Sequence, residues 1–130
     1  MLLIGCATPR QDFLSDNPAL PFSKAVLVGD TLYVSGHLGL DAKTGKPPAD
    51  ASSEALLMLD AFATTMARAG MTMDDLVQVQ VYCSDLSLYG TFNEIYGGMF
   101  SESFPTRAFI GSAPLLKGCR FEIIGTAVRR

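Results

Sequence analysis

Two charged side chains interrupt apolar runs near the C-terminus. Arg107 lies within Phe104-Pro105-Thr106-Arg107-Ala108-Phe109-Ile110, and Glu122 lies within Phe121-Glu122-Ile123-Ile124-Gly125-Thr126-Ala127-Val128. Both runs read as strands. A charge inside such a run is costly to bury unless it is paired or hydrogen-bonded. Either Arg107 and Glu122 satisfy each other, or one of them is held for a ligand. A guanidinium grips a carboxylate through two parallel hydrogen bonds. A glutamate in a dry site moves protons or orients water. Phe104-Pro105 stiffens the approach to Arg107. A plain hairpin centred near Pro114-Leu115 would set residues 107 and 122 roughly opposite each other, and the sequence leaves that pairing open.

Three further candidates are weaker. Asn93 falls in a helical stretch, where asparagine is a poor helix former, and a solvent-facing residue is its simplest reading. Ser35-Gly36-His37 closes a strand and can line a pocket. Ser35 has no adjacent oriented base, so no nucleophilic triad is built from it; a minor lining role is expected of His37. Cys6, Cys83 and Cys119 are odd in number and widely spaced, which gives neither a disulfide framework nor a CxxC pair. With His37 as the one histidine, no zinc site is expected. Gly97-Gly98 lacks the spacing of a phosphate-binding loop.

The 130 residues fit one domain. The chain is 48% hydrophobic and 18% charged, with ten basic and thirteen acidic residues. Mean hydropathy is +0.27 and the pI is about 4.9. This is apolar for a small monomer, and the excess points to an interface between copies. The net charge of −3 and the scattered basic residues argue against nucleic-acid binding. No apolar run reaches 18 residues, so no membrane span is expected. Reduced thiols suggest the cytoplasm. Leu3-Ile4-Gly5-Cys6 has the shape of a lipoprotein cleavage box, which would make the protein periplasmic if a signal had been trimmed before Cys6.

These groups must be carried by a small set of elements. Residues 1–20 read as irregular. Ala25–Val28 and Thr31–Ser35 form a hairpin around Gly29-Asp30. Asp50 caps a helix ending at Gly70, with Ala55, Leu56, Leu59, Phe62, Ala63 and Met66 on its main apolar stripe and Leu57 and Met58 beside it. In the strand Leu76–Cys83, Val77, Val79, Val81 and Cys83 alternate with Gln78, Gln80 and Tyr82. A second helix spans about Leu86 to Phe100, and the Arg107 and Glu122 strands follow. Two helices suffice for one face of such a sheet. The other, semi-polar face is expected to pack against copies of itself.

Several segments resemble the Rid family of imine/enamine deaminases, the YjgF type also labelled L-PSP endoribonuclease or translation inhibitor. They are Pro21-Phe22-Ser23, Val28 through Gly36, Asp41-Ala42-Lys43-Thr44-Gly45, Phe92-Asn93-Glu94-Ile95-Tyr96, Phe104-Pro105-Thr106-Arg107 and Phe121-Glu122-Ile123. The likeness runs from about residue 18 to the end, with the pieces in family order. It implies an α+β fold shared with a small chorismate mutase: a β-α-β-α-β-β mixed sheet with both helices on one face and the last strand inserted centrally. Three subunits would form a central sheet barrel, with sites in the clefts between them.

The resemblance further implies hydrolysis of 2-imino or 2-amino-enoic acids, of the 2-aminoacrylate type, to a 2-keto acid and ammonia. Arg107 would bind the small carboxylate substrate and Glu122 would handle water. Phe22, Ser35, Gly36, His37, Asn93 and Phe109 would line the site. No cofactor or metal is implied. Three positions depart from the usual pattern: Phe22 replaces Tyr, His37 replaces Gln and Phe109 replaces Cys. A non-catalytic trimer that binds a carboxylate metabolite, and an endoribonuclease, are the alternatives.

Overall fold

The computed structural model describes residues 7–130. Leu3-Ile4-Gly5-Cys6 lies outside them. In chain order the elements are β1 (Arg10–Leu14), β2 (Ser23–Val28), β3 (Thr31–Leu38), α1 (Ala51–Arg68), β4 (Leu76–Cys83), α2 (Tyr89–Gly97), β5 (Thr106–Gly111) and β6 (Phe121–Val128), with short 3-10 turns before β4, α2 and β6. The sheet runs β1-β2-β3-β6-β4-β5. All neighbours are antiparallel except β4 and β5.

The β2–β3 hairpin turns at Gly29-Asp30, where Gly29 adopts φ +60°. That left-handed conformation is what the turn asks of glycine. Helix α1 begins as its sequence dictates: the Asp50 carboxylate accepts from the Ser53 amide. Gly70 follows the helix with φ +71°. Ala55, Met58, Leu59, Phe62 and Met66 are fully buried, whereas Leu56 is exposed. Steps of three and four from Ala55 select Met58 rather than Leu56 for the face against the sheet.

Three local expectations are corrected. The stretch expected to be irregular contains β1, whose sequence holds one core residue, Phe13, among exposed neighbours. An edge strand of this kind carries little hydrophobic alternation to read. In β4 a register shift between Leu76 and Gln78 puts Leu76 in the core and leaves Val77 exposed. Helix α2 is shorter than expected, because a 3-10 turn over Leu86–Leu88 precedes it and Gly98 follows its last residue. The placement of β5 and β6, left open by local pattern, is the one the resemblance implies. Strand β6 inserts between β3 and β4, so β4 separates it from β5.

One buried carboxylate ties α1 to the start of β6. Glu54 is fully buried; its Oε1 accepts from the Arg120 and Phe121 amides at 2.6 and 3.2 Å, and its Oε2 from Arg120 Nε at 2.6 Å. Arg120 also donates to the Ala49 and Pro48 carbonyls. Removing one partner of such a pair strands the other charge and its donors. Glu54→Ala is expected to cost about 3–5 kcal/mol. Thermal unfolding is the check, with a fall in Tm of roughly 10–20 °C.

Candidate active site

The sheet register decides how Arg107 and Glu122 relate. Arg107 pairs with Val79 in the parallel β4–β5 ladder, so both project to the same side. Val79 is buried beneath the helices. Glu122 pairs with Tyr82 on β4 and with Leu38 on β3, in alternation with the core residues Phe121 and Ile123. Arg107 therefore faces the helical layer at the sheet edge, and Glu122 faces the open side. The two do not form an ion pair within the described residues of one chain.

Helix α2 and strand β5 build the surroundings of Arg107. Its Nη2 donates to Asn93 Oδ1 at 2.8 Å. The guanidinium carbon lies 4.7 Å from the Tyr96 ring centre, 5.6 Å from Phe109, 5.7 Å from Tyr89 and 5.9 Å from Phe92. Four rings hold the cation without taking up its hydrogens. Among the described residues the bond to Asn93 is the one hydrogen bond of the guanidinium with good geometry, and the Tyr89 hydroxyl lies close by. A cleft of about 350 Å³ opens beside it, lined by Asn93, Tyr96, Gly97, Phe104, Pro105 and Arg107. Burial pushes the Tyr96 phenol up to about 12. The Asn93 amide, and then the Arg107 guanidinium, draw the half-exposed Tyr89 phenol below its ordinary value of 10.

Glu122 belongs to a second cleft, of about 280 Å³, lined by Phe22, Ser35, Gly36, Leu38, Leu116 and Glu122. Gly36 packs directly on the carboxylate: a Cβ at that position would overlap Glu122 Oε1. Ser35 Oγ donates to the Lys24 carbonyl at 2.9 Å and keeps lone pairs free.

His37 does not line this cleft. A register shift between Val34 and His37 turns its side chain into the core, where it is 7% exposed. Its Nδ1 lies 2.8 Å from the Ser35 carbonyl, which can only accept, so Nδ1 carries the proton. Its Nε2 then accepts from Thr65 Oγ1 at 2.7 Å. The ring meets Phe62 edge-on. Burial, aided by the nearby Lys24 ammonium, lowers the imidazole below its ordinary value of 6.5. As pH falls below 6.5 the unfolded chain takes up this proton before the folded one, so the contribution to stability is complete above 6.5 and declines below it. Denaturant titrations at pH 7.5 and 5 are expected to show a larger loss for the native chain than for His37→Gln.

Of the expected site residues, the fold gathers Arg107, Asn93 and Phe109 on the helix side, and Glu122, Phe22, Ser35 and Gly36 on the open side. Tyr89, Tyr96, Leu38 and Leu116 were not foreseen. The aromatic spacing 89-92-96 along α2 carried the signal, but such a stripe reads first as core. Among the described residues no cluster of three or more His, Cys, Asp or Glu side chains can hold a metal, and no helix is long and apolar enough to cross a membrane.

Comparison with known proteins gives one consistent result. The model of the Endoribonuclease L-PSP family matches residues 14–129. The 2-iminobutanoate/2-iminopropanoate deaminase of Bos taurus is 37% identical over 110 residues, 84% of this chain and 80% of that protein. The Escherichia coli K12 protein of the same name is 34% identical over 113 residues, 85% of this chain and 88% of its own. The crystal structure of E. coli TdcF with bound serine superposes with a TM-score of 0.80 at 32% identity, covering 85% of this chain and 89% of that one. RidA from the Antarctic bacterium Psychrobacter sp. PAMC 21119 gives 0.84 at 30% identity, covering 92% and 99%. With nearly the whole described chain matched by one family model and by these relatives, the protein belongs to the Endoribonuclease L-PSP family, the Rid/YjgF group.

Proposed function

We propose that the protein is a deaminase that hydrolyses small 2-imino acids, and their 2-amino-enoic tautomers, to the 2-keto acid and ammonia. The observation that carries this reading is the caged guanidinium of Arg107, which offers unused donors to a cleft. That arrangement suits an anionic metabolite. The names of the bovine and E. coli relatives and the serine held by TdcF support the same substrate size and charge.

In the proposed chemistry Arg107 holds the substrate carboxylate in two hydrogen bonds, steadied by Asn93. Glu122 accepts a proton from water as the water oxygen attacks C2 of the C=N bond. Glu122 passes that proton to the nitrogen, which becomes an amine. The carbinolamine then collapses: its hydroxyl proton passes to Glu122 as C=O forms, and the C–N bond breaks to release ammonia. Glu122 returns its proton to the departing nitrogen. An imine is already electrophilic, so positioning and proton transfer suffice.

Arg107 and Glu122 face opposite sides of one sheet, so we assign them to a shared cleft between protomers of a homotrimer. Arg107 of one chain would meet Glu122, Ser35 and Gly36 of its neighbour. The exposed outer groove formed by Tyr33, Gln78, Gln80, Ile124 and Thr126 supports such packing. The direct assay forms 2-aminoacrylate in situ with a PLP-dependent dehydratase and follows keto-acid release. Acceleration by the protein is expected; its absence would remove the proposal.

Gly36→Ala probes the same geometry. A methyl group displaces the flexible end of Glu122, not backbone. The melting temperature should therefore change little while activity falls about a hundredfold. Retained activity in a folded Gly36→Ala protein would contradict the placement of Glu122.

A further inference from the structure

Strand β3 is irregular at the point where it meets the Glu122 cleft. Val34 pairs with Gly125 and His37 with Ile123, so Ser35 and Gly36 occupy the interval across which the register with β6 shifts. Such a bulge re-aims the side chains on either side of it. Here it sends His37 inward and leaves both intervening residues lining the cleft.

The His37 ring is a strut across this irregularity. Nδ1–H donates to the Ser35 carbonyl two residues back, and Nε2 accepts from Thr65 on α1. Thr65 is itself 3% exposed. The imidazole thus connects the helical layer to the bulge through the core. On the far side of the bulge Gly36 touches Glu122 Oε1 with no room for a methyl group. Any relaxation of the bulge must move the surface on which that carboxylate rests.

We propose that His37 is a positioning residue for Glu122, acting from the core through the Ser35–Gly36 bulge without touching substrate. This rests on the reading of Glu122 as the group that handles water. The role needs one donor for a carbonyl and one acceptor for a hydroxyl, which a glutamine amide also offers. A leucine fills the volume and offers neither.

The test compares native protein, His37→Leu, His37→Gln and Met71→Ala, a core variant in the connection between α1 and β4. Four quantities are read: kcat and KM for imine hydrolysis, affinity for pyruvate, and the side-chain carboxyl 13C resonance of Glu122. His37→Leu is expected to lower kcat about tenfold or more, to hold pyruvate affinity within about twofold, and to move the Glu122 resonance. His37→Gln should recover most of kcat and the native resonance. Met71→Ala should lower Tm and leave kcat and the resonance as they were. If His37→Leu does not fold, Thr65→Val, which removes the hydroxyl partner, takes its place with the same readouts. An unmoved Glu122 resonance with native kcat overturns the inference, as does a folded His37→Gln as impaired as His37→Leu. A native protein without activity, whose Glu122 resonance still responds to His37→Leu, leaves the positioning intact and removes the catalytic reading instead.

Discussion

Arg107→Ala is expected to lower kcat/KM for imine hydrolysis by two to three orders of magnitude. Truncating one partner of a desolvated charge pair costs about 2–5 kcal/mol, which is roughly 30- to several-thousand-fold in affinity. The substrate carboxylate is present in both ground and transition states, so most of the loss should appear in KM. Two features of the site sharpen this. Four aromatic rings surround the guanidinium and provide no replacement cation. Asn93 loses the donor it accepts from. Arg107→Lys separates charge from shape: an ammonium keeps the attraction but lacks the planar fork, so it should recover only part of the loss. Steady-state kinetics and calorimetric titration with pyruvate read both variants. Native KM in Arg107→Ala would show that the carboxylate is held elsewhere.

Glu122→Gln should behave differently. The amide has nearly the same volume and still packs against Gly36, so folding and carboxylate binding are preserved. What disappears is the acceptor for the proton of water. Loss of a positioned general base lowers the rate by about 10²–10⁴-fold, here in kcat with KM and pyruvate affinity close to native. The contrast with Arg107→Ala assigns roles to the two halves of the cleft: one variant weakens binding, the other slows the chemistry. If Glu122→Gln instead weakened pyruvate binding and spared kcat, the assignment would reverse.

The paired strands, the capped α1 and the identity of both charged candidates were legible in the chain, because each rests on local pattern. Gly29-Asp30 between apolar runs makes a hairpin, and Asp50 ahead of Ser53 caps a helix. Arg107 and Glu122 stand out against apolar neighbours. The resemblance to the Rid family supplied the central insertion of β6, which local pattern does not encode: the Glu122 strand looks alike whether its neighbour is β4 or β5.

Facing was the harder part. His37 follows Ser35-Gly36 and reads as a cleft residue until the bulge reverses it, and a bulge has no reliable periodic signature. Val77 and Leu76 exchange places in β4 for the same reason. The cage around Arg107 is masked in the sequence because an aromatic stripe on α2 is the usual mark of a core. Its second use follows only once β5 lies parallel to β4 beneath that helix. Glu54, in the first turn of α1, is a buried anchor because the backbone and guanidinium of Arg120 reach it from 66 residues away.

The central claim is that Arg107 and Glu122, which face opposite sides of a single sheet, act together across a boundary between chains. Subunit mixing tests it most directly. Arg107→Ala and Glu122→Gln, each nearly inactive alone, are unfolded together in equal amounts, refolded and assayed for imine hydrolysis. If each site takes its arginine from one chain and its glutamate from the next, about a quarter of the sites in randomly mixed trimers regain both groups. Activity should rise toward that fraction of the native value. A mixture no more active than its two components would place both residues in one protomer and contradict the shared cleft.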